Sequence, residues 1–271
     1  MPVSSMDVEP GRMVVTSVLR ALRLLELFEP GRPEMSLADF VRLSGFSKTT
    51  AYRLLITLEK AGWLERGLAG TFRLTIKPFQ VGSILVESLD LRREAGPIIA
   101  RLAAETEETV YLVVPDGPRA VCLERIDSGQ GVRLMDLHVG GSQPLNLGAA
   151  PRALLAFDED RLLPGLLDEG LTARTPHSIV DPGELRAELE ETRRRGYSVS
   201  EEDVTPGIGA IGAPVLGGDG RALAAVSIGG LRSRVLPPRP GHVARLMRAC
   251  QEISVRLGDG RARIGAAQTA P

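Results

Sequence analysis

The chain has 271 residues, with 33 Lys+Arg against 34 Asp+Glu and 43% hydrophobic residues. This length suits two domains, because single cores stop growing near ~250 residues, and a formal net charge of -1 excludes a polybasic chain, so an anionic partner has to be met by a local patch. No apolar run reaches the ~18 residues that a membrane span needs, and the start, MPVSSMDVEPGRM, lacks the charged-then-apolar layout of a signal peptide. Cys122 and Cys250 stand far apart without CxxC spacing, which reads as buried reduced thiols in a cytoplasmic protein. His138, His177 and His242 are isolated, so neither a metal site nor any other cofactor is expected.

Residues 1–12 and 259–271 carry no period and are expected to be disordered tails. Val18, Leu19, Leu22, Leu25 and Leu27 form one apolar side of a helix that Pro30 and Gly31 end. Ser36 suits the N-cap of a short helix, Leu37 to Leu43, with Asp39 at its third position. The turn SGFS follows, where Gly45 suits a left-handed corner and Ser47 can cap the next helix. In that helix Ala51, Leu54, Leu55, Leu58 and Ala61 share one side, and Thr49, Tyr52, Arg53, Ile56 and Lys60 the other. Trp63 to Arg66 and Thr71 to Leu74 then alternate as two short strands around a Gly-flanked tip, with Arg66 and Arg73 beside it.

Helix, turn, helix and basic hairpin in this order predict a winged helix-turn-helix over residues 13–78. Its second helix opens with Lys48, Thr49, Thr50, Tyr52 and Arg53, and this front end would bring backbone N–H groups and polar side chains to a major groove. Thr can reach a phosphate or a thymine methyl, Arg can grip guanine bidentately, and Lys neutralises phosphate. Ser47, Lys48, Thr49, Thr50, Tyr52, Arg53, Arg66 and Arg73 are therefore the expected DNA contacts. Between residues 36 and 80, Arg42, Lys48, Arg53, Lys60, Arg66, Arg73 and Lys77 stand against Asp39, Glu59 and Glu65 alone, a local surplus of the kind a nucleic-acid face needs. A solvated helix face, or a winged helix used for protein contacts, is the plainer alternative.

Residues 79–94 read as a linker helix, in which Leu89 and Leu91 could pack either between subunits or within their own domain. Residues 95–258 read as a second, α+β domain. It starts with a helix at Pro97 and a hairpin, Thr109 to Val114 and Ala120 to Ile126, around PDGPR. A strand over Val132 to Val139 follows, then helices at Ala153 to Phe157, Glu159 to Leu167 and Pro182 to Arg195. Strands at Ser198 to Ser200, Gly209 to Leu216 and Arg221 to Gly229 precede a last helix, Gly241 to Leu257, with Val243, Leu246, Met247, Cys250, Ile253 and Leu257 inward. A mainly antiparallel sheet covered by helices is a GAF-like outline. GIGAIG, Gly207 to Gly212, matches GxGxxG, but a strand follows it and no acid stands where a ribose contact would be, so no nucleotide site is read there; its glycines let backbones approach closely. Glu201, Glu202 and Asp203 read as a solvated charge run, and without GxSxG, HExxH or a P-loop the chain is not expected to be an enzyme.

Three blocks, SLADFVRLSGFSKTTAYRLLITLEKAGWLER, LDLRREAGPIIARLAAETEETVYLVVPDG and RGYSVSEEDVTPGIGAIGAPVLGGDGRALAAVSIGG, resemble, in that order, the IclR family of bacterial transcriptional regulators. The resemblance implies a transcription regulator, more commonly a repressor, that binds a palindromic operator on double-stranded DNA as a homodimer or homotetramer. It also implies a small organic effector, often a carboxylate or aromatic acid, bound in the C-terminal domain. The matching pocket residues are Val132 and Met135 as an apolar wall, Ala149 and Ala150 with their N–H groups, and Ser200, Ala210 and Ser227. The chain departs from the family pattern in carrying Pro151-Arg152 for a common Gly-Lys pair, Asn146 for a common His, Gly229 for a common Ser, and Ser200 for an acid. An architectural or ligand-independent DNA-binding protein, or an enzyme with an accessory DNA module, is the competing expectation.

Overall fold

The structure, a computed structural model, describes residues 14–88, 90–127 and 137–268. Two compact units divide the chain between Ser88 and Leu89. The expected strand over Val132 to Val139 lies largely outside the described residues, as do Leu89 and residues 1–12.

The first unit runs α1 (Thr16–Leu25), β1 (Glu34–Met35), α2 (Leu37–Ser44), α3 (Lys48–Lys60), β2 (Leu64–Arg66), β3 (Phe72–Leu74) and α4 (Lys77–Ser88). Ser36 caps α2 with a full capping box to Asp39, whose carboxyl is pushed down to about 2 by the Ser36 hydroxyl, then Arg42 and the Ser36 amide. Gly45 ends α2 at φ 70°, and Ser47 accepts the Thr50 amide at the start of α3. Strand β1, too short to leave a periodic signal, joins the hairpin into an antiparallel sheet of order β1-β3-β2. Phe40 fills the core, packed edge-on against Phe28 and Phe72 at 5.6 and 6.2 Å, with Leu24, Met35, Leu55, Leu58 and Leu64 around it. Two apolar faces read from the sequence are only partly buried within the unit. Helix α1 buries Leu24, one turn-face away from Val18, Leu19 and Leu22, which are 54%, 40% and 47% exposed. Ala61, the C-cap of α3, is exposed as well.

The second unit is a six-stranded antiparallel sheet between two helical layers. Its strands are β4 (Thr109–Asp116), β5 (Arg119–Ile126), β6 (Ser142–Pro144), β7 (Ser198–Glu201), β8 (Ile208–Leu216) and β9 (Ala222–Leu231), in the order β6-β5-β4-β9-β8-β7. Side chains alternate across a sheet, and the sequence uses both faces. Val110 and Leu112 of β4, Ile211 and Ala213 of β8, and Val226 and Ile228 of β9 pack against α5 (Asp90–Thr106) and α10 (Pro240–Gln268). Tyr111, Val113 and Ala225 face the other way, toward α6 (Ala149–Phe157), α7 (Glu159–Glu169) and α8 (Pro182–Arg195). A short α9 (Arg232–Val235) follows β9.

Pro97 lies inside α5, although the sequence suggests a helix start there. The ring removes one helical hydrogen bond, and the buried stripe Leu91, Ala95, Ile98, Ile99 and Leu102 holds the helix continuous. Leu91 thus belongs to its own unit's core. Met247, expected inward, is 41% exposed, and Ala249 takes the core position beside Leu246, Cys250 and Ile253. The C-terminal tail expected from residue 259 gives way to helix through Gln268.

Candidate DNA-binding and effector sites

In the first unit, the buried stripe Ala51, Leu55 and Leu58 of α3 turns Lys48, Thr49, Tyr52 and Arg53 outward, and all four are exposed. Ser47 and Thr50 are engaged with each other: Ser47 Oγ accepts the Thr50 amide at 3.3 Å and donates to Thr50 Oγ1 at 2.9 Å. These two residues hold the helix end that the others project from.

The unit's three carboxylates between residues 36 and 80 are all spent on arginines. Asp39 pairs with Arg42 at 2.8 Å, Glu59 with Arg66 at 3.2 Å and Glu65 with Arg73 at 2.7 Å. Arg66 also lies over the Phe72 ring at 4.7 Å, and its pKa is raised, first by the Glu59 hydrogen bond and with a further contribution from Tyr52. Lys77 Nζ donates to the Ala61 carbonyl at 2.7 Å, at the end of α3. Among the described residues, Lys48, Arg53 and Lys60 make no ion pair, so α3 carries uncompensated positive charge, as do Arg20 and Arg23 of α1, while the wing arginines are locally neutralised. Beside Arg53, α1 and α3 border an open groove lined by Ser17, Arg20, Leu22, Leu54 and Trp63 among others.

In the second unit the register places side chains in rows across the sheet. Ser198, Gly212, Ser227 and Tyr111 form one row, and Ser200, Ala210 and Gly229 the next. Helix α6 starts directly above the first row. Ser198 Oγ donates to the Ala149 carbonyl, and a Cβ on Gly212 would lie 2.6 Å from the Ala149 carbonyl carbon and 2.7 Å from the Ala150 nitrogen. The helix can approach only because residue 212 has no side chain. Gly148, at φ 81°, makes the turn into α6, and Pro151 stands at its third position, where no intrahelical donor is lost. That is why the helix begins four residues before the expected Ala153.

Over the second row, where Ala210 and Gly229 have little bulk, the helix and sheet part. The cavity there has an empty volume of about 530 Å³ including its mouth. Ala149, Ala150, Ser200, Ala210 and Ser227 all line it, joined by Tyr111, Val113, Leu137, Gln143, Gly148, Val204 and Ile208. Val132 and Met135 lie outside the described residues. The sequence reading overlooked Tyr111 and Val113, although the alternation of TVYLVV puts them on one face. It also misjudged Asp203, which is 2% exposed and not part of a solvated run.

Asp203 organises the cavity floor. Its Oδ2 accepts from the Gly148 amide at 3.0 Å and pairs with Arg152, while its Oδ1 accepts from Ser200 Oγ. Burial pushes this carboxyl up, but the Arg152 charge, then the Ser200 and Gly148 hydrogen bonds, outweigh it and hold the group below its ordinary value. Arg152 also donates to the Val199 and Asn146 carbonyls. Asn146, fully buried, donates to the Thr172 and Ile179 carbonyls at 2.9 and 3.0 Å, so it builds scaffold. Gln143 Nε2 is committed to the Leu147 carbonyl at 3.1 Å. What remains along the lining is apolar surface and a few hydroxyls; the Gly148 amide is taken by Asp203, and those of Ala149 and Ala150 have, by helix geometry, no intrahelical acceptor.

No helix among the described residues is long and apolar enough to cross a membrane. Comparison with known proteins gives two family matches: the IclR helix-turn-helix domain over residues 17–67 and the bacterial transcriptional regulator IclR C-terminal domain over residues 84–255. The HTH-type transcriptional regulator KipR of Bacillus subtilis is 30% identical over 244 residues, covering 89% of this chain and 97% of KipR. The transcriptional repressor IclR of Escherichia coli is 29% identical over 257 residues, covering 93% of each. A crystal structure of an IclR homolog complexed with 4-hydroxybenzoate, from Microbacterium hydrocarbonoxydans, superposes with a TM-score of 0.74 at 25% identity, over 88% of this chain and 98% of that one. Helix-turn-helix, helix-covered antiparallel sheet and both matched segments agree, and the chain belongs to the IclR family of bacterial transcriptional regulators.

Proposed function

We propose that this regulator is a cytoplasmic repressor that binds a palindromic operator through residues 13–78 and senses a small organic acid through residues 95–258, with residues 79–94 linking the two. The observation that carries the DNA part is the charge distribution on α3. Lys48 and Arg53 are exposed and unpaired among the described residues, while every nearby carboxylate is occupied elsewhere. Arg53 and Thr49 supply base-edge contacts and Lys48 a phosphate contact, while the wing arginines, held by Glu59 and Glu65, contribute less.

The effector part rests on the cavity under α6. Its lining is apolar with few polar groups, as small-molecule sites are, and the helix N-terminus favours a carboxylate at Ala149 and Ala150. The homolog that holds 4-hydroxybenzoate supports an aromatic acid as the class. Self-association as a homodimer or homotetramer is supported by the apolar side of α1, where Val18, Leu19 and Leu22 stay exposed within their unit. A sensor of this kind needs no catalytic groups, since a ligand acts by favouring one of two conformations.

The test is an electrophoretic shift assay with DNA flanking the protein's own coding region, with and without aromatic acids. A retarded band on a palindromic segment, released by an acid that also raises the melting temperature, is the expected result. Binding that ignores sequence, with no acid effect, would favour an architectural protein.

A further inference from the structure

We infer that Arg66 is a positioning residue: it braces the wing against the recognition helix through Glu59, Tyr52 and Phe72, and takes no DNA phosphate itself. This rests on the reading of α3 as the helix that meets the DNA, and goes on to name what holds the wing at its angle to that helix.

Arg66 ends β2 and stands opposite Phe72 of β3. Its guanidinium lies 4.7 Å over the Phe72 ring, and that ring is buried and packs edge-on against Phe40. One face of the cation is thus seated on the unit's core. Its edge is taken by α3: Nε donates to both carboxylate oxygens of Glu59 at 3.2 and 3.3 Å, and the Tyr52 hydroxyl adds a further hydrogen bond. Tyr52 and Glu59 lie about two turns apart on one side of the helix, so one side chain from the wing engages α3 at two levels. A guanidinium combines a flat face for the ring with a fork of donors for the carboxylate and the phenol; a lysine ammonium has neither.

At the base of the wing, Thr75 Oγ1 donates to the Gly62 carbonyl at 2.6 Å and Lys77 Nζ to the Ala61 carbonyl at 2.7 Å. Those links hold one end of the hairpin. Arg66 holds the other, beside the tip that begins at Gly67. A hairpin fixed at both ends does not swing on its base. Arg73 differs, because its partner Glu65 is its cross-strand neighbour in the same hairpin, and that pair fixes nothing beyond the wing. To reach a phosphate, Arg66 would have to leave ring and carboxylate together, and Glu59 would repel the phosphate at close range.

The experiment uses the full-length protein and two duplexes: the flanking segment that wild type retards in the gel shift above, and a scrambled duplex of the same length and composition. Both are titrated at several salt concentrations with wild type, Arg66→Ala, Arg66→Lys and Glu59→Ala. All three variants should lose about tenfold in the preference for the flanking segment, the discrimination carried by one misaligned base contact. Their salt slopes should match wild type, whereas a lost phosphate contact flattens the slope by about 0.9. Affinity for the scrambled duplex should persist in all three, which separates a mispositioned wing from an unfolded unit. A flatter slope in Arg66→Ala, a preference restored by Arg66→Lys, or tighter binding of the flanking segment by Glu59→Ala overturns the inference and returns Arg66 to the phosphate contacts. A preference unchanged in all three variants overturns it as well. A wild type that binds both duplexes equally overturns the reading of α3 as an operator reader, and the inference with it.

Discussion

Arg152 of α6 and Asp203, just beyond β7, form an ion pair in which each side chain is only 3% exposed, and the pair ties the helix that carries the cavity to the strand that closes it. Removing one partner leaves a buried charge alone. Arg152→Met should therefore destabilise the second unit by roughly 3–5 kcal/mol, and Arg152→Met with Asp203→Leu should recover much of the loss. Urea unfolding of the single and double variants measures both.

The same pair predicts an acid limb. Asp203 has a lowered pKa in the folded protein, so its contribution is fully present above the unfolded value near ~3.9 and is lost as the pH falls through the folded one. Unfolding midpoints should drop below about pH 4, and Asp203→Asn, less stable at neutral pH, should show a flatter dependence there.

On the DNA side, Arg53→Ala should weaken specific binding by about 1–3 kcal/mol if the guanidinium grips a base. Glu65→Gln works in the opposite direction. It frees Arg73 from its 2.7 Å partner, so affinity should rise and the salt dependence steepen by about one phosphate contact. Binding titrations at several salt concentrations separate the two; an Arg53→Ala variant with unchanged affinity would remove that residue from the interface.

Gly212→Ala tests the seat of α6. A methyl group at residue 212 would sit 2.6 Å from the Ala149 carbonyl carbon, and backbone cannot yield as a side-chain tip can. The cost should be of the order of 1–3 kcal/mol, seen in thermal unfolding, together with loss of acid binding. Ala149→Trp should instead fill the cavity while DNA binding persists, measured by titration with the acid and by gel shift.

The thiols offer a control. Burial pushes Cys122 and Cys250 up to about 12, so neither is a thiolate at pH 8. Maleimide labelling should be slow in the native protein and fast in urea.

The sequence was most legible where a local rule acted alone. Ser36, Asp39, Gly45 and Ser47 each do in the structure what their residue types do at helix ends, so the helix-turn-helix could be read almost to the residue. Legibility failed where distant segments decide. Nothing in GAAPRALLAF announces a helix start, because Gly148 replaces a side-chain cap with a turn and the capping anion, Asp203, arrives from 55 residues away. Asp203 itself looks solvated beside two glutamates, and only the fold brings Arg152 to it. Val18, Leu19 and Leu22 have the period of a core face, but a period cannot say whether the cover comes from the same unit.

Residues Ala149 to Ala156 of α6 are buried without exception. A rod with no outer face offers no position at which ligand preference can be edited without disturbing the packing on its other sides. Retuning this sensor toward a different metabolite therefore has to proceed through the opposite wall, at positions such as 200, 204 and 227, while the α6 wall acts as a fixed ruler against which new guests are measured.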